Sequence, residues 1–188
     1  RYQVFVSSTF TDLKEERQAV IQALLAIGCI PAGMELFPAA SGDQWNYITK
    51  VIDDCDYYIV LARSRYGSLT SEGISYTQKE FKYAVSKGIR ILAFLFDESR
   101  ATEQLDPNGD TDATALAALA AFKQELMTGR LVKHWATAAE LKGQVALSLL
   151  AEIQEHPSVG WVRGDQAASV DLLNEVHDLI QKNKNHVQ

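Results

Sequence analysis

Cysteine and long apolar runs are scarce in this sequence of 188 residues. Its two cysteines, Cys29 and Cys55, form no CxxC or Cys/His spacing, so we interpret them as small buried hydrophobic residues of a reducing compartment. The longest apolar runs, such as Ile91–Phe96, are too short to cross a bilayer, and no signal peptide precedes the first predicted strand. The first residue is Arg1 rather than Met, which suggests that the natural terminus lies upstream. These absences predict a soluble cytoplasmic protein with no membrane partner.

Basic charge is also scarce. Lys and Arg number 18 against 24 Asp and Glu, which gives a formal net charge of −6, and no stretch of the chain concentrates Lys and Arg. A nucleic-acid-binding face must neutralise phosphates, so we expect no nucleic-acid partner. The hydrophobic fraction of 47% and the length are those of one globular domain with a core of its own.

Metal and cofactor motifs are absent as well. The four histidines, at positions 134, 156, 177 and 186, share no metal-ligand spacing, and Asp53, Asp54 and Asp56 lack the spacing of a calcium loop. The chain contains no glycine-rich phosphate loop of the Walker or dinucleotide type. We therefore expect no metal and no resident cofactor, and any nucleotide would be a substrate or ligand.

Hydrophobic periodicity predicts alternating strands and helices. The predicted strands are Tyr2–Val6, Cys29–Leu36, Tyr57–Ala62, Ile89–Phe96 and a weak one at Leu131–Trp135. The predicted helices are Asp12–Ile27, Asp43–Asp53, Tyr76–Lys87, Ala113–Thr128 and Ala138–Glu155. Strand three is apolar throughout and strand four is apolar apart from Arg90, as in parallel strands covered on both faces, and Pro31 favours an edge position for strand two. The pattern predicts an α/β three-layer sandwich of the flavodoxin type, with a parallel five-stranded sheet of order 2-1-3-4-5 and strand one inside it.

The first predicted helix begins with a capping signal. Asp12 with Glu15 has the spacing of a capping box at the start of the first helix.

The composition changes after His156-Pro157, so we divide the chain into an α/β domain at 1–157 and a segment at 158–188. That segment is predicted to be a connector and a helix, Ser169–Gln181, which pack less completely than the core and lead into a further domain.

The sheet order nominates two loops as a ligand site, because ligands of open parallel sheets bind beyond the carboxyl ends of the strands at the switch point. The loop after strand one offers Ser7, Ser8 and Thr9 at a helix N-terminus, which suits an anion such as a phosphate but also suits plain helix capping. The loop after strand three offers Arg63, Arg65 and Tyr66, which would bind phosphate and stack on a base. The alternative is a solvated loop with incidental arginines.

Glu80 is the candidate catalytic carboxylate. On the helix after strand three, Tyr76 and Glu80 share one partly apolar face close to the switch point. A carboxylate there would be desolvated, which is typical of functional acids. The alternative is a surface glutamate of an ordinary helix.

Four motifs resemble a family of TIR-like domains catalogued as of unknown function. The motifs are Val4-Phe5-Val6-Ser7-Ser8-Thr9-Phe10-x-Asp12-Leu13-x-x-Glu16-Arg17, Asp54-x-Asp56-Tyr57-Tyr58, Arg65-Tyr66-Gly67-Ser68 and Ser75-Tyr76-Thr77-x-x-Glu80-Phe81. The resemblance covers residues 2–96, and 159–166 are also similar. It implies a TIR-like fold at the N-terminus of bacterial or eukaryotic multidomain proteins of the NACHT or repeat type.

The resemblance also implies a chemistry. TIR domains that cleave NAD carry a glutamate on the helix after strand three, four residues after a tryptophan. Tyr76 stands here at the tryptophan position and Glu80 at the glutamate position. Nucleoside 2-deoxyribosyltransferases place a nucleophilic glutamate similarly, and Ala84–Arg90 is similar to the end of their helix. Both groups break an N-glycosidic bond through an oxocarbenium-like transition state, which a fixed carboxylate stabilises.

Three functions follow as hypotheses. The first is a nucleotide-binding effector domain that cleaves NAD or a related nucleotide within a larger signalling or defence protein. The second is a non-catalytic module that docks protein partners through the same face, and the third is a nucleoside 2-deoxyribosyltransferase-like enzyme. The expected partners are a nucleotide, other domains of the full-length protein and further copies of the chain in a homo-oligomer.

Overall fold

The computed structural model describes residues 1–33, 44–100, 106–165, 167, 172 and 174–180. Its strands are β1 (Gln3–Ser7), β2 (Ile30–Ala32), β3 (Tyr57–Ala62), β4 (Arg90–Phe96) and β5 (Val132–Trp135). Its helices are α1 (Lys14–Ala26), α2 (Gln44–Asp53), α3 (Tyr76–Ser86), α4 (Ala113–Met127) and α5 (Ala138–Glu155). A short 3₁₀ helix, Glu98–Arg100, follows β4.

The five strands form one parallel sheet of order β2-β1-β3-β4-β5. The predicted α/β fold of the flavodoxin and TIR type is thereby confirmed, including the place of β1 inside the sheet. Strand β2, which contains Pro31, lies at the edge as predicted, and among the described strands it pairs with β1 alone. The rest of the strand predicted up to Leu36, and the loop predicted at Pro38–Gly42, lie outside the described residues.

The core consists of two apolar layers, one on each face of the sheet. Because side chains alternate along a strand, Val4 and Val6 of β1 face α1 and α5, whereas Phe5 faces α2, α3 and α4. Strand β3 is buried along its whole length, with Tyr57 in the first layer and Tyr58 in the second. Both cysteines are buried and unpaired with each other, and burial raises the pKa of Cys55 to about 12.

The start of α1 differs from the prediction. The helix begins at Lys14, its N-terminal cap is Leu13, and no side chain caps it. Asp12 is buried instead, and its carboxylate lies 3.4 Å from the Ser64 hydroxyl, which donates its proton to the nearer Asp106 carboxylate. The capping box predicted from Asp12 and Glu15 is therefore wrong, because the cap position is Leu13 and the Asp12 side chain makes no capping hydrogen bond. The end of the helix is as predicted, with Gly28 at a positive φ of 78°.

The first part of the connector is bonded to the amino ends of β1 and β3. The Asp56 carboxylate accepts hydrogen bonds from the backbone N–H of Gln3 at 2.9 Å and of Gly160 at 3.0 Å. The Trp161 N–H donates a hydrogen bond to the Arg1 carbonyl oxygen at 2.5 Å, and the Arg1 amino group donates one to the Trp161 carbonyl oxygen at 2.6 Å. A side chain at Gly160 would place its Cβ 2.9 Å from the Arg1 carbonyl oxygen, so the close approach requires glycine. Residues 161–165 are exposed, and the looser packing expected of the segment after Pro157 stays a prediction.

Within the described ranges, no helix combines the length and the apolar character that crossing a membrane requires. The helical residues 174–180 of the tail are exposed along their length.

We expect Asp56→Ala to release the connector while the sheet stays folded. The substitution leaves two backbone N–H groups without their acceptor, which costs about 1–3 kcal/mol and should raise the rate of cleavage within residues 159–165 about tenfold or more. Limited proteolysis with mass analysis of the fragments measures that rate. The exposed neighbour Asp54 gives the matched control, and Asp54→Ala should leave the rate unchanged. Equal protection in both variants would show that Asp56 does not hold the connector.

Candidate functional site

A pocket of about 330 Å³ lies at the carboxyl ends of β1 and β3, where the strand order changes direction. Its walls are the loop after β1, the loop after β3, the first residue of α2 and the first turns of α3. The lining residues are Ser8, Thr9, Phe10, Thr11, Gln44, Arg65, Gly67, Ser68, Tyr76, Thr77 and Glu80. The volume is at the lower end of the range found for small-molecule sites.

Glu80 forms the floor of this pocket. It lies in the second turn of α3, which begins at Tyr76 with Ser75 as its cap, and its side chain is only 3% exposed. Ser7, the last residue of β1, donates a hydrogen bond of 2.5 Å from Oγ to Oε2 of Glu80. The bond ties α3 to the end of β1 and fixes the direction of the carboxylate.

The electrostatics of Glu80 reflect its burial. Loss of solvent raises the pKa of this carboxyl from 4.5 to about 7, while the Ser7 hydrogen bond and the nearby Arg17 guanidinium act in the opposite direction. Burial also raises the pKa of Tyr58 well above its ordinary value, and the neighbouring Glu80 carboxylate adds to that effect. Glu80 is therefore poised between its acid and its carboxylate near neutral pH.

Arg17 supplies a buried positive charge beneath the pocket. It comes from α1, on the other face of the sheet, and is 4% exposed. Its guanidinium donates to the Ser8 hydroxyl at 2.7 Å and to the Val6 carbonyl oxygen at 3.2 Å. Arg17 thus orders the loop after β1 and lowers the cost of an ionised Glu80.

The loop after β3 is held by the turn at 106–110. The Arg65 guanidinium donates to the Asn108 carbonyl oxygen at 2.9 Å, and the Tyr66 N–H donates to the Asp110 carboxylate at 2.6 Å. Gly67 has a φ of 96°, and a Cβ there would meet the Thr9 methyl at 3.0 Å, so the two loops approach closely only because residue 67 is glycine. The bonds to the turn position Arg65 at the pocket.

Five of the predicted site residues meet at the pocket: Ser8, Thr9, Arg65, Tyr76 and Glu80. Ser7 lies behind them as the hydrogen-bond donor to Glu80. Their roles in binding or catalysis stay predictions. Sequence reasoning did not single out Phe10, Thr11, Gln44, Thr77 or Arg17.

Arg63 does not line the pocket, contrary to expectation. Its guanidinium lies 3.3 Å from Glu16 Oε1 and 3.9 Å from Asp106 Oδ2, and 4.4 Å from the centre of the Phe96 ring. Burial alone would raise the pKa of Asp106, but hydrogen bonds from Ser64 and the Asn108 N–H, together with Arg63, lower it. Arg63 therefore belongs to a structural ion-pair cluster with Glu16 and Asp106 on the α1 side of the sheet.

Tyr66 is also placed elsewhere. Its ring is 5% exposed and packs edge-on against Phe122, and its hydroxyl donates to the Gln78 side chain. Gln78 in turn donates to Glu125 of α4 at 2.6 Å. The ring is therefore part of the core between α3 and α4 and does not line the pocket, while a role of Tyr66 in stacking on a base stays a prediction that this placement does not support.

Over the ranges that the structure describes, no three His, Cys, Asp or Glu side chains come close enough together to hold a metal ion.

The structure thus defines an open α/β domain with a buried carboxylate at its switch point. A family model described as Domain of unknown function (DUF4062) matches residues 3–150, and the chain belongs to that family. A search of curated proteins finds no match.

Solved structures with a similar fold share little sequence with the chain. The TIR domains of the activated Roq1 resistosome, which directly recognises the pathogen effector XopQ, are 12% identical over 97% of this chain and 99% of theirs, with a TM-score of 0.46. A 2-desoxiribosyltransferase from Leishmania mexicana is 17% identical over 77% and 97%, with a TM-score of 0.45. A prokaryotic SEFIR domain is 16% identical over 67% and 90%, with a TM-score of 0.39.

The raised pKa of Glu80 predicts how Glu80→Gln changes stability with pH. The unfolded chain loses the Glu80 proton near pH 4.5 and the folded chain near pH 7, so stability falls as the pH rises through that window. The difference corresponds to about 3 kcal/mol. Glutamine keeps an acceptor for Ser7 and carries no charge, so the variant should unfold at a higher temperature than the wild type at pH 8. At pH 5 the gain should be small.

Thermal unfolding at the two pH values measures the effect, with Glu15→Gln as the control because Glu15 is exposed on α1. A gain of equal size at pH 5 and pH 8 would contradict the assignment of a buried, titrating carboxylate.

Proposed function

We propose that this domain binds a nucleotide at the switch-point pocket and cleaves the N-glycosidic bond of NAD or a related nucleotide. The observation that carries the proposal is the buried Glu80 carboxylate on the floor of a pocket that also presents Arg65 and the hydroxyls of Ser8 and Thr9. The domain would act as an effector within a larger signalling or defence protein. Its partners would be other domains of that protein and further copies of the chain in a homo-oligomer.

The polar residues that line the pocket would bind the nucleotide. Arg65 offers a guanidinium suited to a phosphate, and its contact with Asn108 limits the side-chain entropy lost on binding. The Thr9 hydroxyl, just ahead of α1, adds a hydrogen-bond donor for an anion, whereas the Ser8 hydroxyl donates to the Thr9 carbonyl oxygen at 2.6 Å and would have to release it to become a second donor. The ribose would then lie over Glu80, since this carboxylate is at the base of the same pocket.

Cleavage would proceed by charge stabilisation. As the bond from C1′ of the ribose to the pyridinium nitrogen of NAD breaks, both electrons move to nitrogen and nicotinamide leaves neutral. Positive charge develops on C1′ and the ring oxygen. An ionised Glu80, fixed by Ser7 and shielded from bulk water, would stabilise that cation, and a water molecule would then add to C1′ and lose a proton.

A nucleoside transferase is the second candidate, and the depth of Glu80 favours it. A carboxylate that is 3% exposed could attack C1′ as the first base leaves with the electrons of the glycosidic bond and takes a proton from water. The sugar would then stay bound covalently to Glu80 until an acceptor base displaces the carboxylate and gives a proton to water. Product analysis separates the two functions. Base exchange in the presence of a free base would indicate transfer, whereas free ribosyl product would indicate hydrolysis.

We expect Glu80→Gln to abolish turnover without abolishing binding. Removal of a preorganised electrostatic group lowers kcat about 100-fold or more, while Arg65 and the hydroxyls still hold the nucleotide. Nicotinamide release measures kcat, and calorimetry with intact NAD measures binding. Glu15→Gln is the control with an exposed carboxylate and should retain full activity. Unchanged turnover in Glu80→Gln would remove this mechanism, and absence of nucleotide binding by the wild type would favour the protein-docking module.

The pH dependence of turnover should follow the ionisation of Glu80. Because the carboxylate is the active form, kcat/KM should rise with pH and level off above an apparent pKa near 7. Arg17 lowers this pKa, so Arg17→Met should move the rise to higher pH, whereas Arg17→Lys keeps a positive charge and should move it less. A profile that does not move in Arg17→Met would contradict the electrostatic coupling of the two side chains.

A further inference from the structure

Phe10 is an exposed aromatic residue at the pocket. It lies in the turn between β1 and α1, lines the pocket, and is 56% exposed. Single exposed apolar side chains are common on protein surfaces, but this ring also lines the pocket that contains Arg65 and Glu80. The fold does not need this ring for its core, since Leu13 in the same turn is fully buried in its place.

The surroundings of Phe10 hold the residue in position. The Phe10 carbonyl oxygen accepts a hydrogen bond from the Leu13 N–H at 3.3 Å, which fixes the turn. The Lys14 ammonium lies 5.3 Å from the centre of the ring, within the range of a cation–π contact. The ring is therefore contacted by a cation while more than half of the residue stays open to solvent and to the pocket.

The other lining residues are complementary to the parts of a nucleotide. Phe10 and Tyr76 are the aromatic residues among those that line the pocket in the described part of the chain, and Tyr66 is buried elsewhere. Arg65 provides positive charge and Glu80 provides a carboxylate at the floor. A sugar phosphate alone would use Arg65 and Glu80 but would leave the exposed ring without a partner.

We infer that Phe10 is the base-stacking residue of the pocket and that it selects ligands with an aromatic base on the ribose over plain sugar phosphates. The inference rests on the proposed function and sharpens its substrate class. An aromatic ring stacks on any planar base, so Phe10 would discriminate between the presence and absence of a base, while Gln44 and Thr77 at the same pocket offer hydrogen bonds to the edge of a base.

Binding of three probes tests the inference: AMP, nicotinamide mononucleotide and ribose 5-phosphate. Phe10→Ala should weaken binding of the two nucleotides about 10- to 100-fold, the range found when a stacking residue is removed, and should leave ribose 5-phosphate unchanged. Phe10→Trp should restore nucleotide binding, because it keeps an aromatic face. Leu69→Ala is the matched control, since Leu69 is 60% exposed in the loop after β3 and does not line the pocket.

The outcomes separate this inference from the proposed function. Nucleotide binding that depends on Phe10, without any cleavage of NAD, would support the inference and remove the hydrolase. Cleavage of NAD with unchanged nucleotide affinity in Phe10→Ala would keep the hydrolase and overturn the inference. An equal loss for all three probes would also overturn it, because the ring would then only support the loop. Failure of the wild type to bind any nucleotide would overturn both.

Discussion

The hydrogen bond between the Ser7 hydroxyl and the Glu80 carboxylate holds the site together. It joins the end of a central strand to a helix, and it is available only because β1 keeps its register. Phe5 and Ser7 face the α3 layer while Val4 and Val6 face the α1 layer. A shift of one residue would turn Ser7 away from Glu80 and leave a buried carboxylate without its donor. Correct pairing of β1 with β3 is thus a condition for the pocket as well as for the core.

The site is formed where the two helical layers meet at the end of the sheet. Glu80 comes from one layer and Arg17 from the other, and both side chains are nearly inaccessible to solvent. Each charge costs free energy to bury, and two serines offset part of that cost: Ser7, at the end of β1, donates to Glu80, and Ser8, which follows it, accepts from Arg17. Such an arrangement lowers the stability of the fold but holds two charges in fixed positions, as functional sites commonly do.

The sheet could be predicted from the sequence because its signals are local: the apolar run Tyr57–Ala62, and Pro31 in an edge strand. The position of Glu80 followed from helical periodicity. The sequence could not show which of Arg63 and Arg65 lines the pocket. That is decided by long-range partners on α1 and in the turn at 106–110. Arg17 had a readable signal, since it lies four residues after Leu13 and three before Val20, on the buried stripe of α1.

The contact between Arg1 and Trp161 has a practical consequence. It lies at the amino ends of the strands, whereas the pocket lies at their carboxyl ends. A strand of five residues is about 17 Å long, so the two poles are separated by the full height of the sheet. An affinity tag, a fluorophore or an immobilising surface attached through residue 1 would therefore leave the pocket open on the far pole, and a tether continued from Trp161 would start from the same place.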